Sequence, residues 1–191
     1  MTAWDGDDYA RRLDARLRDL EAAGGSPHGE ADLVMSIGPD SVLDAGCGTG
    51  RVAIELAGRG VEIVGVDADP SMLSTAQRAH PDLEWILHDI GSLDLGRSFD
   101  VVLMAGNVPL FTRPGTELDL VRGAARHVAS GGALVAGFQL DGRYTLEAYD
   151  DACAGASLVL AARYATWDGA PFSDGAGYAV SIHRRNSSEP G

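Results

Sequence analysis

Five short apolar runs, separated by segments of helical length, constrain the fold of this chain more than any other feature. The runs are SVLDAG, VEIVGVD, LEWILHD, FDVVLMAG and ALVAGFQL. Strands that are apolar on both faces and alternate with helices are typical of a parallel sheet covered on each side. The intervening helices are predicted at residues 51–59, 70–80, 116–129 and 145–155.

The ends of the chain follow a different pattern. Apolar residues at helical spacing predict N-terminal helices over residues 4–22 and 30–37. Near the C-terminus, the runs LVLAARYATWD and YAVSIHRR flank a loop at residues 169–177 that contains Gly and Pro, which favours an antiparallel pair. The chain is therefore predicted to be an α/β protein with a mostly parallel seven-stranded sheet, helices on both faces and a C-terminal antiparallel strand pair.

The composition excludes several kinds of chemistry. The formal net charge is −13 and all 15 cationic side chains are arginine. Without lysine there is no phosphate-loop lysine and no Schiff-base lysine, and the acidic surface disfavours nucleic acid as a partner. We expect no membrane partner and a cytoplasmic location, because no secretion signal and no apolar run of spanning length is found. The five histidines form no cluster with cysteine, so no metal site is expected.

The first apolar run ends in a glycine loop, GCGTG at residues 46–50, with Asp44 two residues ahead. A phosphate loop would need lysine, and a dinucleotide fingerprint would need glycine where Arg51 stands. A carboxylate at this strand end disfavours a pyrophosphate and favours a ligand that carries an ammonium and a sulfonium.

Acidic residues also end the next two predicted strands. Asp67 lies 21 residues after Gly46 (67 − 46), the offset at which a carboxylate accepts both hydroxyls of a ribose. In the third strand, Asp89 can accept from an exocyclic amine and Ile90 can cover an aromatic base. These residues predict an adenine nucleoside with an unphosphorylated ribose.

The three motifs DAGCGTG, GVDADPSM and HDI, at residues 44–50, 65–72 and 88–90, resemble the first three cofactor motifs of class I S-adenosylmethionine-dependent methyltransferases. The resemblance extends over about residues 42–185 and implies a Rossmann-like fold. It also implies a core at residues 39–185, an N-terminal helical segment at residues 1–38 that covers the active site, and a disordered tail at residues 186–191. The implied cofactor is S-adenosyl-L-methionine, with S-adenosyl-L-homocysteine as product.

The resemblance also implies roles for individual residues. Asp44 and the glycine backbone would hold the methionine end of the cofactor, and Asp67 would bind the ribose. Ala68 and Ile90 would enclose the adenine, whose amino group would meet Asp89. Cysteine in this loop is interpreted as a small residue without redox function. The full set of expected cofactor-binding residues is Asp44, Gly46, Cys47, Gly48, Asp67, Ala68, Met72, Asp89, Ile90 and Asn107.

Two residues are candidates for catalysis. His28 lies in SPHGEADL, a segment that would act as a lid or carry a general base. Asn107 begins NVPLF, which is similar to the Asn-Pro-Pro-aromatic motif of amino-methylating enzymes. Because Val108 and Leu110 depart from that motif, the segment is interpreted as a loop that lines the methyl-transfer site.

The predicted function is methyl transfer to a small-molecule acceptor by in-line displacement. The fourth strand lacks the acidic ligands of metal-dependent catechol-type methyltransferases, so the transfer is expected to be independent of metal. The acceptor pocket is expected between the N-terminal helices, residues 107–114 and residues 141–149. Two alternatives stay open: a protein methyltransferase, and a catalytically silent cofactor-binding partner subunit.

Overall fold

A computed structural model describes residues 8, 11–12, 15, 18, 22, 26–140 and 142–187. Its centre is a sheet of seven strands: β1 Ser41–Ala45, β2 Glu62–Asp67, β3 Glu84–Leu87, β4 Phe99–Met104, β5 Val128–Gln139, β6 Leu158–Tyr164 and β7 Tyr178–Arg185. The strand order is β3-β2-β1-β4-β5-β7-β6. The first five strands are parallel, and β7 runs antiparallel between β5 and β6. This arrangement confirms the predicted fold class.

Helices connect the strands. They are α1 Gly29–Ile37, α2 Arg51–Gly58, α3 Pro70–Ala79, α4 Val108–Phe111, α5 Glu117–Arg126 and α6 Leu146–Gly155, with a 3-10 turn at Ile90–Ser92. Alternate strand residues face two separate apolar cores, one beneath α5 and α6 and the other beneath α1 and α2. Both faces of the sheet are therefore covered, as the apolar strands require.

Most of the predicted helix over residues 4–22 lies outside the described residues, and so do residues 188–191 of the predicted tail. Among the residues that are described, no helix is long and apolar enough to cross a membrane.

One predicted boundary is wrong. The helix expected over residues 116–129 ends at Arg126, because Val128 already pairs with Phe99 as part of β5. Pairing with β4 overrides the helical pattern at this point.

Polar contacts at opposite edges of the sheet position the strands that carry the site. Asp69 begins α3, since its Oδ1 accepts the N–H of Ser71 at 2.8 Å, and Pro70 occupies the first helical position. Asp100 joins β4 to the start of β1, because its Oδ2 accepts the N–H of Ser41 at 2.9 Å and the Ser41 hydroxyl at 3.0 Å. The first contact directs the chain away from the end of β2, and the second aligns β1 with β4.

Candidate functional site

A cavity of about 310 Å³ opens at the carboxyl ends of the parallel strands. This is the position at which open α/β sheets bind ligands. Nine of the ten expected cofactor-binding residues line it: Asp44, Gly46, Cys47, Gly48, Asp67, Ala68, Met72, Asp89 and Ile90. The structure thus gathers the three strand-end motifs around one space.

The three glycines of the loop lack a side chain for three different reasons. A Cβ on Gly46 would lie 2.5 Å from Cγ2 of Val108, so this glycine admits α4. A Cβ on Gly50 would lie 2.5 Å from the Trp85 ring, so that glycine admits β3. Nothing lies within 4 Å of the Cβ position of Gly48, whose φ is +55°. Gly48 is therefore the position where the loop leaves room for a ligand.

Asp44 supplies a buried carboxyl at the end of β1. It is 1% exposed, and burial raises its pKa to about 7, with the neighbouring Asp67 and Glu30 carboxylates adding to the effect and Arg51 opposing it. A buried carboxylate is costly unless a cation accompanies it. The site therefore fits a ligand that brings its own positive charge.

Asp67 is held by the backbone at the end of β2. Its Oδ2 accepts the N–H of Gly48 at 2.8 Å, and its Oδ1 accepts the N–H of Asp69 at 2.9 Å. Burial raises the pKa of this carboxyl, while these two hydrogen bonds oppose the rise. Each oxygen retains a further lone pair, so the oriented carboxylate can still accept two hydroxyls.

One part of the cavity lining is apolar, with the Asp89 carboxylate beside it. Ala68, Met72 and Ile90 line it, and Ile90 is held in place by α5, since a Cβ on Gly123 would lie 1.9 Å from the Ile90 carbonyl oxygen. Oδ1 of Asp89 accepts the N–H of Gly91 at 2.8 Å, which leaves Oδ2 for a ligand. This combination suits a flat aromatic base with an exocyclic amine.

Cys47 lines the cavity without reactive character. Burial, together with the Asp44 and Asp67 carboxylates, raises the pKa of its thiol well above the usual value. The thiol stays protonated at neutral pH, in keeping with a small packing residue.

Arg51 ties the N-terminal segment to the cavity. Its guanidinium donates to Oε1 of Glu30 at 2.5 Å and to the carbonyl of Pro27 at 3.1 Å. The same segment packs on the loop after β6, because a Cβ on Gly29 would lie 3.2 Å from Cβ of Trp167. In the sequence, Arg51 only excludes a dinucleotide fingerprint. Its position directly after the third glycine nevertheless indicates that it lies beside the glycine loop.

The two catalytic candidates lie away from the cavity lining. Oδ1 of Asn107 accepts the N–H of Gln139 at 2.8 Å, and the Asn107 N–H donates to Gly137 at 3.1 Å, so Asn107 joins the end of β4 to β5. The His28 ring faces α2, with Nδ1 3.5 Å from Oε2 of Glu55. Neither residue is among those that line the cavity, because each side chain turns toward a neighbouring element, and their catalytic roles stay predictions.

Within the described residues, one side of the expected frame of the acceptor pocket is found at the cavity. Residues from the segment after β4 line the cavity, whereas Tyr144 and Tyr149 are buried in the core beneath α6. Lining residues that were not singled out from the sequence are Thr49, Arg51, Val52, Ala105, Gly106 and Leu120. Among the described ranges, no group of three or more His, Cys, Asp or Glu side chains is arranged to hold a metal ion.

The part of the chain that forms this cavity is similar to known proteins. A family model for a methyltransferase domain matches residues 42–132. A cypemycin N-terminal methyltransferase from Streptomyces sp is 40% identical over 96 residues, which cover 49% of this chain and 39% of that protein. A dTDP-4-amino-2,3,4,6-tetradeoxy-D-glucose N,N-dimethyltransferase from Saccharopolyspora spinosa is 32% identical over 124 residues, which cover 63% and 49%. The chain thus matches no more than about half the length of these relatives.

Solved structures share the fold over nearly the whole chain. A TehB-like SAM-dependent methyltransferase from Corynebacterium glutamicum superposes with a TM-score of 0.84 and 28% identity, covering 95% of this chain and 98% of that one. CalS10, a SAM-bound amino pentose methyltransferase from Micromonospora echinaspora, gives a TM-score of 0.70 at 20% identity, covering 91% and 96%. At that identity the second likeness concerns the fold alone.

Proposed function

Because this chain belongs to the class I S-adenosylmethionine-dependent methyltransferases, we propose that it transfers a methyl group from S-adenosyl-L-methionine to a small-molecule acceptor. The observation that carries the proposal is the convergence of Asp44, Asp67 and Asp89 on one cavity from three successive strands. Two relatives support a low-molecular-weight acceptor, since one is a cypemycin N-terminal methyltransferase and the other an N,N-dimethyltransferase of a dTDP-linked amino sugar.

Each part of the cofactor has a group in the cavity that suits it. The Asp44 carboxylate would take the ammonium of the methionine end, beside the open backbone at Gly48. Asp67 would accept the ribose hydroxyls, and Asp89 would accept the adenine amino group with Ile90 on the ring face. S-adenosyl-L-homocysteine would make the same contacts, apart from those of the sulfonium charge.

The residues of the chain contribute positioning more than proton transfer. The bound cofactor supplies a methyl group on a sulfonium, whose displacement leaves a neutral thioether. The three cavity carboxylates are assigned to cofactor binding and the Cys47 thiol stays protonated, so the described lining leaves no group as a general base. The acceptor therefore attacks as a neutral or anionic nucleophile. Proximity and orientation supply about 7–11 kcal/mol of the barrier reduction in such a site.

The proposal is tested by incubating the protein with methyl-labelled cofactor and a fractionated metabolite extract, followed by mass spectrometry. We expect a small molecule to gain one methyl group, and S-adenosyl-L-homocysteine to raise the melting temperature of the protein while NAD does not. Asp67→Asn should weaken both effects. Label on protein bands alone would instead support a protein methyltransferase, and cofactor binding without any labelled product would support a silent partner subunit.

A further inference from the structure

Residues 111–113 line the cavity but belong to none of the cofactor motifs. They begin at the last residue of α4, whose Val108 packs directly on Gly46 at the methionine end of the site. The contacts assigned to the cofactor come from the ends of β1, β2 and β3, and they do not use this segment. Residues 111–113 therefore border the part of the cavity that is left for the acceptor.

Arg113 brings an uncompensated positive charge to that space. Two arginines line the cavity, and Arg51 is paired with Glu30 at 2.5 Å. For Arg113 the described part of the chain holds no carboxylate within ion-pair distance, although the chain carries a net charge of −13. Arg113 is exposed where it borders the cavity, so its guanidinium donors are available to a ligand there.

The backbone that carries Arg113 is braced. Its carbonyl oxygen accepts both the N–H of Thr116 at 3.0 Å and the Thr116 hydroxyl at 2.8 Å. Arg143 donates to the carbonyl of Thr112 at 2.6 Å and to that of Leu110. A backbone fixed in this way loses less chain entropy when a ligand binds beside it.

We infer that the methyl acceptor carries an anionic oxygen group, a carboxylate or a phosphate, and that Arg113 is the specificity-determining residue that binds it. This inference rests on the proposed function. The planar guanidinium matches both groups with two parallel hydrogen bonds. The apolar body of the acceptor would lie against Phe111 and Leu120, which line the same cavity. An acceptor held by its anionic end would present its other end to the sulfonium.

The test begins with the metabolite extract separated on an anion-exchange column into bound and unbound fractions. Each fraction is assayed with labelled cofactor and wild-type protein, and we expect the methylated product to arise from the bound fraction. Kinetics with that fraction then compare Arg113→Gln with Arg113→Lys and with Arg122→Gln, an exposed α5 arginine that does not line the cavity. Affinity for S-adenosyl-L-homocysteine, measured on each variant, reports whether the site is intact.

We expect Arg113→Gln to raise KM for the acceptor about 10- to 100-fold with kcat and cofactor affinity little changed, the effect of losing a charged hydrogen-bonded contact. Arg113→Lys should recover part of the loss, and Arg122→Gln should behave as wild type. Malonate or inorganic phosphate should compete with the acceptor in wild type and not in Arg113→Gln, and the stronger competitor distinguishes a carboxylate from a phosphate.

Product from the unbound fraction alone, or an unchanged KM in Arg113→Gln, would overturn the inference while leaving the methyltransferase proposal standing. Absence of methylated product from every fraction would overturn the proposed function itself. The two failures are therefore distinguishable.

Discussion

Cofactor affinity is expected to fall in mild acid, because Asp44 must be ionised to hold the ammonium group. Burial raises the pKa of this carboxyl to about 7 in the free protein, so near neutral pH a large fraction of molecules carries a protonated Asp44. Only the ionised form binds well, and Kd is therefore multiplied by 1 + 10^(pKa − pH), a proton linkage. Acid weakens binding and alkali strengthens it until the carboxyl is fully ionised.

The size of the effect follows from that factor. Between about pH 7.5 and about pH 5.5 it rises from about 1.3 to about 33, a weakening of about 25-fold or about 1.9 kcal/mol. Near pH 7, binding should release about half a proton per molecule, since the bound carboxylate no longer titrates there.

The assay is isothermal calorimetry with S-adenosyl-L-homocysteine across this pH range, repeated in two buffers of different ionisation enthalpy to count the protons released. Asp44→Asn cannot ionise, so its affinity should be weak and nearly flat with pH. Asp67→Asn should bind weakly but keep most of the slope, because Asp44 is still present. A wild-type affinity that does not change with pH, or a slope that survives in Asp44→Asn, would refute the assignment of the ammonium to this carboxyl.

Three further predictions concern stability and are read from urea unfolding. Gly137→Ala should lower the free energy of unfolding by about 1–3 kcal/mol, because the new Cβ would lie 2.3 Å from Cζ2 of Trp167. Gly58→Ala is the control: nothing lies within 4 Å of its Cβ position, so it should raise the free energy of unfolding by up to about 1 kcal/mol. Equal effects of the two substitutions would contradict the packing argument. Burial lowers the pKa of His127 in the folded protein. Its contribution to the free energy of unfolding is therefore complete above the unfolded pKa of about 6.5 and is lost as the pH falls below that value. If stability falls as steeply with decreasing pH in His127→Gln as in wild type, His127 is not the cause. Asp100→Ala should lower the free energy of unfolding by about 2–3 kcal/mol, since the N–H groups of Asp40 and Ser41 and the Ser41 hydroxyl all donate to Oδ2 of Asp100. An unchanged urea midpoint would show that these hydrogen bonds are dispensable.

The strand-end residues that line the cavity could be predicted from the sequence because the strand pattern determines where they lie. Parallel strands bring their carboxyl ends to one edge, so Asp44, Asp67 and Asp89 converge whatever the details of the loops. The need for glycines between the first strand and its helix could also be predicted, since each either allows a neighbouring side chain to pack closely or leaves space for a ligand.

The residues that could not be predicted lie where side-chain direction depends on tertiary packing. Asn107 adjoins lining residues on both sides, yet its own side chain turns to β5, because an unpaired N–H of Gln139 is there. Arg51 follows the glycine loop, but its partner Glu30 comes from a segment whose position the pattern did not determine. Local sequence fixes the element, and long-range contacts fix where such a side chain points.

The antiparallel placement of β7 has a consequence for biosynthesis. Strand β5 hydrogen-bonds β4 on one side and β7 on the other, and β7 follows the other six described strands in sequence. While the polypeptide is still emerging from the ribosome, β5 therefore exposes an apolar, unsatisfied border to other nascent chains. Pairing with β7 closes that border once β7 has emerged, so a message truncated shortly before β7 would yield a protein prone to aggregate even though residues 44–90 had been made.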